Sequence, residues 1–177
     1  LILLCILKGS IVFMGDLMKK ITVPVEIDCM KVSSYGSGTQ TTGNVHIHLD
    51  LIRPDLPECD ILIIEDIIDS GNTLYLLKNE LEKRKPAMVK ICAFLDKPAR
   101  RTAQIKADYV GFVCADEFVV GYGLDFADKF GIPLCLINFG IYGFCILFYL
   151  NLVSLLPTLI PAMGHAPRMV DLPFPTE

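Results

Sequence analysis

Charge is scarce in this chain, and several patterns that would make it easy to place are missing. Only 20% of its 177 residues are charged, against 53% hydrophobic, and the mean hydropathy is +0.51. A chain this apolar buries a core, which excludes intrinsic disorder. No global basic field is present either, since the net charge is -4. A nucleic-acid role would need a local patch, and the candidates, Lys83-Arg84-Lys85 and the run from Lys97 to Lys106, are short. No nucleic-acid partner is expected. The seven cysteines are odd in number and none forms a CxxC pair, the pattern of buried reduced thiols in a cytosolic protein and not of a secreted disulfide framework. The N-terminal run LILLCIL has no basic segment before it and reads as a buried strand, not a signal peptide. No GxxxxGK[ST] motif occurs, so an ordinary nucleotide-triphosphate P-loop is not supported. No internal repeat of fixed period is visible.

The patterns that are present alternate. An apolar run over residues 1–7 stops at Lys8-Gly9-Ser10, and IVFMGDLMKKI then has helical spacing. Residues 23–32 are β-rich, residues 33–44 form a polar Ser/Thr/Gly loop, and VHIHL at 45–49 alternates like a half-exposed strand. A second strand, turn and helix unit follows, with a strand over 60–64 and a helix buried through Leu74, Leu77 and Leu81. VKICAFL at 89–95 is another strand, with shorter ones expected near 109–113 and 134–137. Strands alternating with helices imply an α/β fold, a mainly parallel sheet flanked by helices, and the length suits one ordinary domain.

The chemistry concentrates in ILIIEDIIDSGNT, residues 61–73. In open α/β sheets ligands bind beyond the carboxyl ends of strands, and the segment from Glu65 to Thr73 stands at such an end. Ser70, Gly71, Asn72 and Thr73 offer backbone N–H groups and hydroxyls at a helix start, an anion cradle suited to phosphate. Glu65 and Asp66 can accept from two vicinal hydroxyls or help hold Mg²⁺, leaving Asp69 to face the reacting centre. A plainer reading has these acids only capping the helix. Three acids beside a hydroxyl and glycine loop weigh against it. His46 and His48 alternate on one strand and read as an exposed face, because metal binding would need a third ligand.

IIEDIIDSGNT resembles the phosphoribosyl-pyrophosphate (PRPP) signature of type I phosphoribosyltransferases. LKGS at 7–10, SSYGSGT at 33–39, LDKPARR at 95–101 and DEFVVGYGLDFAD at 116–128 are similar to motifs of the hypoxanthine and hypoxanthine-guanine members. The resemblance covers roughly residues 1–137. It implies a Mg²⁺-dependent, cytoplasmic purine-salvage enzyme that makes IMP or GMP and pyrophosphate from PRPP and hypoxanthine or guanine. It implies that Ser70, Gly71, Asn72 and Thr73 hold the 5′-phosphate, that Glu65 and Asp66 bind the ribose hydroxyls, and that Lys8 and Gly9 line the pyrophosphate site next to a cis peptide. Asp125, with Glu65 and Asp66, would hold Mg²⁺. Lys97 would donate to the purine 6-oxo group, Phe118 would stack on the base, and the Val119 backbone would read its edge. Asp69 would accept a purine ring proton as N9 attacks C1′. Ser34 and Tyr35 begin the segment that family members use as a lid, and a homodimer or homotetramer is expected. Alternatives are a non-catalytic PRPP or nucleotide binder on the same fold and a membrane-attached protein that uses the C-terminal tail.

Two departures accompany the resemblance. Where the family carries a pyrophosphate-contacting Arg, Phe130 is followed here by Gly131, removing a charge-assisted anchor worth about 1.5–3 kcal/mol. The family's first strand and helix, roughly 30–40 residues in typical members, have no counterpart, so the chain reads as N-terminally truncated. From Phe130 to Pro167 there is no Asp, Glu, Lys or Arg, and residues 138–177 do not resemble a family C-terminus. Three readings of this hydrophobic tail stand open: a membrane-associated helix, an interface element, and a gene-model artefact.

Overall fold

The computed structural model describes residues 1–34, 45–124 and 137–138. Among the described residues, eight strands and two α-helices follow in the order β1 Ile2–Ile6, α1 Ile11–Met18, β2 Glu26–Ser34, β3 Val45–Leu49, β4 Asp60–Ile68, α2 Asn72–Lys83, β5 Met88–Asp96, β6 Tyr109–Val113, β7 Val119–Val120 and β8 Ile137–Asn138. Single 3-10 turns at Leu56–Glu58 and Pro98–Arg100 each follow the φ that a proline presets. Strands β1 to β6 form one sheet in the order β3-β2-β1-β4-β5-β6, parallel except for the edge pair β2–β3, and β7 pairs with β8 separately.

The alternation of side chains along a strand splits the core into two layers. Ile2, Leu4 and Ile6 of β1 face one way with Ile61 and Ile63 of β4, and Leu74, Leu77 and Leu81 of α2 cover them. Leu3 and Cys5 face the other way with Leu62, Ile64, Cys92 and Phe94, covered by Phe13, Met14 and Leu17 of α1. Apolar residues on both faces of β1, β4 and β5 explain why these strands read as continuous runs and not as alternating ones. The expected α/β fold is therefore the one observed.

The strand over 60–64 is longer than its apolar run. Pairing with β5 continues through Glu65↔Ala93, Ile67↔Leu95 and Ile68↔Asp96, so Glu65 and Asp66 lie within β4 and not in the loop after it. Cross-strand hydrogen bonds carry the strand past the point where hydrophobicity stops. The expected strand near 134–137 is the short β8, Ile137–Asn138. Tyr35, Asp125, Phe130, Gly131 and residues 139–177 lie outside the described residues, so the lid, one Mg²⁺ position and the tail have no structural account.

Candidate active site

The three central parallel strands end at one edge of the sheet, and each delivers a loop there. β1 runs into Leu7–Ser10, β4 into Asp69–Gly71, and β5 into Lys97–Arg101. This is the edge where open α/β sheets bind ligands.

In the first loop the Leu7–Lys8 peptide bond is cis. The Ser10 hydroxyl is buried and donates to the Ile6 carbonyl at 2.6 Å, closing the turn into α1. A Cβ on Gly9 would collide with the Asp66 carboxylate, and one on Gly123 would collide with the Gly9 carbonyl. Close approach thus brings the β1 loop, the β4 acids and the turn at 121–124 together, and glycine is required at both contacts.

Glu65 and Asp66 stand side by side. Burial lifts the Glu65 carboxyl well above its ordinary range, and the neighbouring Asp66 charge and an Asp66 hydrogen bond push it the same way. The Asp66 Oδ1 accepts from the Ile67 amide at 2.7 Å. Two adjacent carboxylates in such a place need a proton, a cation or hydroxyl donors between them, and an all-oxygen donor set suits a hard divalent cation.

The second loop holds Asp69 one residue beyond β4. Its Oδ1 is buried without a hydrogen-bond partner, while Oδ2 lies 3.6 Å from the Arg100 Nη1. A buried oxygen left unsatisfied costs about 1–3 kcal/mol, so a proton donor from a ligand has a place to go. Gly71 is the N-cap of α2 with φ +80°, a conformation that L side chains avoid. Gly71 has no side chain to cap the helix and there is no acid in the first turn, so the N–H groups beyond Asn72 and the helix dipole are left for an anion. Its mates in the cradle are tied in: the Ser70 Oγ accepts from the Asn72 amide at 3.4 Å, and the Asn72 Oδ1 accepts from the Thr102 hydroxyl at 3.2 Å. Thr73 follows in the first turn.

Gly71→Ala tests this geometry. An added Cβ would stand 2.7 Å from Ile105 Cγ2 and 2.9 Å from Arg101 Cδ. Together with a left-handed φ, which costs about 1–2 kcal/mol for a non-glycine residue, this should destabilise the protein by about 2 kcal/mol or more, read by urea titration. A stability within experimental error of the original would show that the loop does not need its left-handed residue.

The third loop carries Lys97, whose amide donates to the Ile68 carbonyl at 3.0 Å. The lysine is 5% exposed, which rules out a solvated loop cation. Its Nζ lies 3.7 Å from Asp116 Oδ1, and the Arg100 Nε donates to the same oxygen at 2.6 Å. Lys97, Asp116, Arg100 and Asp69 therefore form one ionic chain across the edge. Phe118 is 52% exposed, not the core aromatic that most strand aromatics are, and Val119 is in β7, registered with Asn138. Ser34 ends β2, paired with Val45. His46 and His48 are exposed and hydrogen-bonded to each other at 3.2 Å, and no cluster of three or more metal-capable side chains occurs among the described residues.

A family model described as a phosphoribosyl transferase domain matches residues 1–127. The chain belongs to the phosphoribosyltransferase family. Among its relatives in that family, a hypoxanthine phosphoribosyltransferase of Salmonella typhimurium is 48% identical over 130 residues, 73% of this chain and 72% of that one. Of solved phosphoribosyltransferases, a hypoxanthine enzyme of Staphylococcus aureus superposes with a TM-score of 0.74 at 45% identity, covering 77% of this chain and 74% of that one. A hypoxanthine-guanine enzyme of Bacillus anthracis, with HEPES in its active site, gives 0.72 at 42% identity, covering 77% and 80%. These relatives place the chain with the hypoxanthine-type phosphoribosyltransferases, as its motifs suggest.

The motifs leave Asp96, Arg100, Arg101 and Asp116 of this phosphoribosyltransferase without roles. All four lie in or beside LDKPARR and DEFVVGYGLD, where a density of charge at a strand end is the signal that would have found them.

Proposed function

We propose that this chain transfers the 5-phosphoribosyl group of PRPP to hypoxanthine or guanine, forming IMP or GMP and pyrophosphate in purine salvage. The observation that carries this reading is the uncapped α2 N-terminus behind a left-handed Gly71, with the buried, unpartnered Asp69 oxygen beside it. That pairing fits a phosphate and a proton-bearing base held next to each other.

In this mechanism the amides and hydroxyls of Ser70 to Thr73 hold the 5′-phosphate, while Glu65 and Asp66 accept from the ribose hydroxyls. Lys8 and the Gly9 backbone take the pyrophosphate. Lys97, with little water around it, donates to the 6-oxo group; Phe118 stacks on the purine and the Val119 backbone meets its edge. N9 attacks C1′ as pyrophosphate leaves, and Asp69 accepts the ring proton, its ionised form also favouring the positive charge that grows on the ribose. Mg²⁺, which Asp125, Glu65 and Asp66 would hold, supplies charge neutralisation for the departing pyrophosphate.

Residues 1–137 are the proposed transferase domain and 138–177 an added hydrophobic tail. No helix among the described residues is long and apolar enough to cross a membrane. Free thiols at Cys5, Cys29, Cys59, Cys92 and Cys114 support a cytoplasmic setting. A homodimer or homotetramer is the proposed assembly, with the exposed Ile27, Leu49 and Ile52 as apolar surface available to it.

The test is Mg²⁺-dependent formation of IMP and GMP from PRPP on two proteins, the whole chain and one ending at Asn138. Turnover by either is expected. Absence of turnover by both, with PRPP still raising the melting temperature, would replace the transferase by a binder; no response to PRPP would overturn the reading.

A further inference from the structure

Arg101 makes no contact that the motif-based assignments foresee, yet its guanidinium spans the loops that build the site. Nε donates to the Asp69 carbonyl at 3.1 Å, Nη2 to the Ile68 carbonyl at 3.1 Å and to the Asp96 carboxylate, and Nη1 to the Ile105 carbonyl at 2.8 Å. Four of the five N–H groups of its planar fork are used. The Ser70 carbonyl is held from the same side, by the amides of Thr102 at 3.0 Å and Ala103 at 3.1 Å.

Three consecutive carbonyls, those of residues 68, 69 and 70, thus turn toward the 101–103 segment. In a planar trans peptide the C=O and the following N–H point in opposite directions. Fixing these carbonyls turns the amides of Asp69, Ser70 and Gly71 the other way, which is how a backbone nest for an anion is made.

We infer that Arg101 is a positioning residue for the phosphate loop: it holds Asp69, Ser70 and Gly71 with their N–H groups aimed at the 5′-phosphate, without touching substrate itself. The inference rests on the PRPP reading given above. Lysine cannot replace it, because one ammonium group cannot reach three carbonyls and a carboxylate in a fixed plane.

The experiment compares the full chain with Arg101→Lys by two readouts. Amide hydrogen exchange without ligand should speed up by about tenfold or more at Thr102 and Ala103, whose amides donate to the Ser70 carbonyl, with β1 and β5 unchanged. Calorimetry should show PRPP binding weakened by about tenfold while the KM for hypoxanthine changes by less than about threefold. Unchanged exchange at Thr102 and Ala103, or an equal rise throughout the sheet, overturns the inference, as does equal loss for both substrates. If Arg101→Lys does not fold, Asp96→Asn, which keeps shape and removes the charge partner, is expected to move both readouts in the same direction by a smaller amount; no movement overturns the inference. An original chain that binds no PRPP, with exchange still responding at Thr102 and Ala103, takes away the PRPP reading and keeps the positioning role. An original chain that binds PRPP no better than Arg101→Lys does overturns the positioning role alone.

Discussion

Asp69→Asn is expected to lower kcat by about a hundredfold or more while leaving PRPP affinity nearly unchanged, the usual scale for losing a general base. The substitution keeps the size of the side chain and replaces a carboxylate oxygen with an amide, so the site stays filled and loses only its ability to take a proton. The Asp69 Oδ1 is buried with no hydrogen-bond partner, while Oδ2 faces Arg100 at 3.6 Å. One carboxylate oxygen thus faces Arg100, and the other has no hydrogen-bond partner in the protein. PRPP affinity should hold because, in the proposed mechanism, backbone amides of the loop meet the phosphate, and the loop carbonyls are held by Arg101, Thr102 and Ala103, not by the Asp69 side chain. The checks are steady-state kinetics for both substrates and the PRPP-induced rise in melting temperature. Unchanged turnover would show that Asp69 does not take the proton.

Phe94→Ala should cost about 3–5 kcal/mol of stability, the range for deleting a buried aromatic from a packed core. Phe94 is 1% exposed and sits at the centre of a ring cluster, 5.3 Å from Phe13, 4.8 Å from Tyr122 and 5.8 Å edge-on to Phe112. These partners come from α1, from the turn at 121–124 and from β6, so no single element can move in to fill the void. The loss should also reach the site. Tyr122 donates to Asp16 of α1 at 2.7 Å and precedes Gly123, which lies against the Gly9 carbonyl of the β1 loop. Urea titration with activity measured on the folded fraction checks both parts. A loss below about 1 kcal/mol would mean that the ring cluster is not packed as described.

The architecture was legible because it is local. Period and run length along the chain set the strands and helices, and Leu74, Leu77 and Leu81 fall at helical spacing whatever surrounds them. Most of the candidate site was legible for the same reason, since Glu65 to Thr73 is one continuous stretch at a strand end. Other features depended on residues far away in the sequence. β4 extends through Ile68 because β5, about thirty residues later, offers hydrogen bonds in register as far as Asp96. Lys97 stands next to a proline in a polar segment, which by itself describes a solvated cation, and its burial is imposed by neighbouring loops. Phe118 looks apolar enough for the core and is exposed, because β7 lies outside the main sheet.

What the sequence determined by itself was the order of elements, the family and the acid and glycine stretch proposed to meet phosphate, because each is written in adjacent residues with a fixed period or spacing. What only the tertiary structure decided was the aim of that stretch. Arg101 reaches carbonyls 32 and 33 residues before it, and Gly9 meets Asp66 across the sheet edge. Hydrogen bonds and close approaches of this kind exist only once β1, β4 and β5 lie side by side, so no local pattern can encode them.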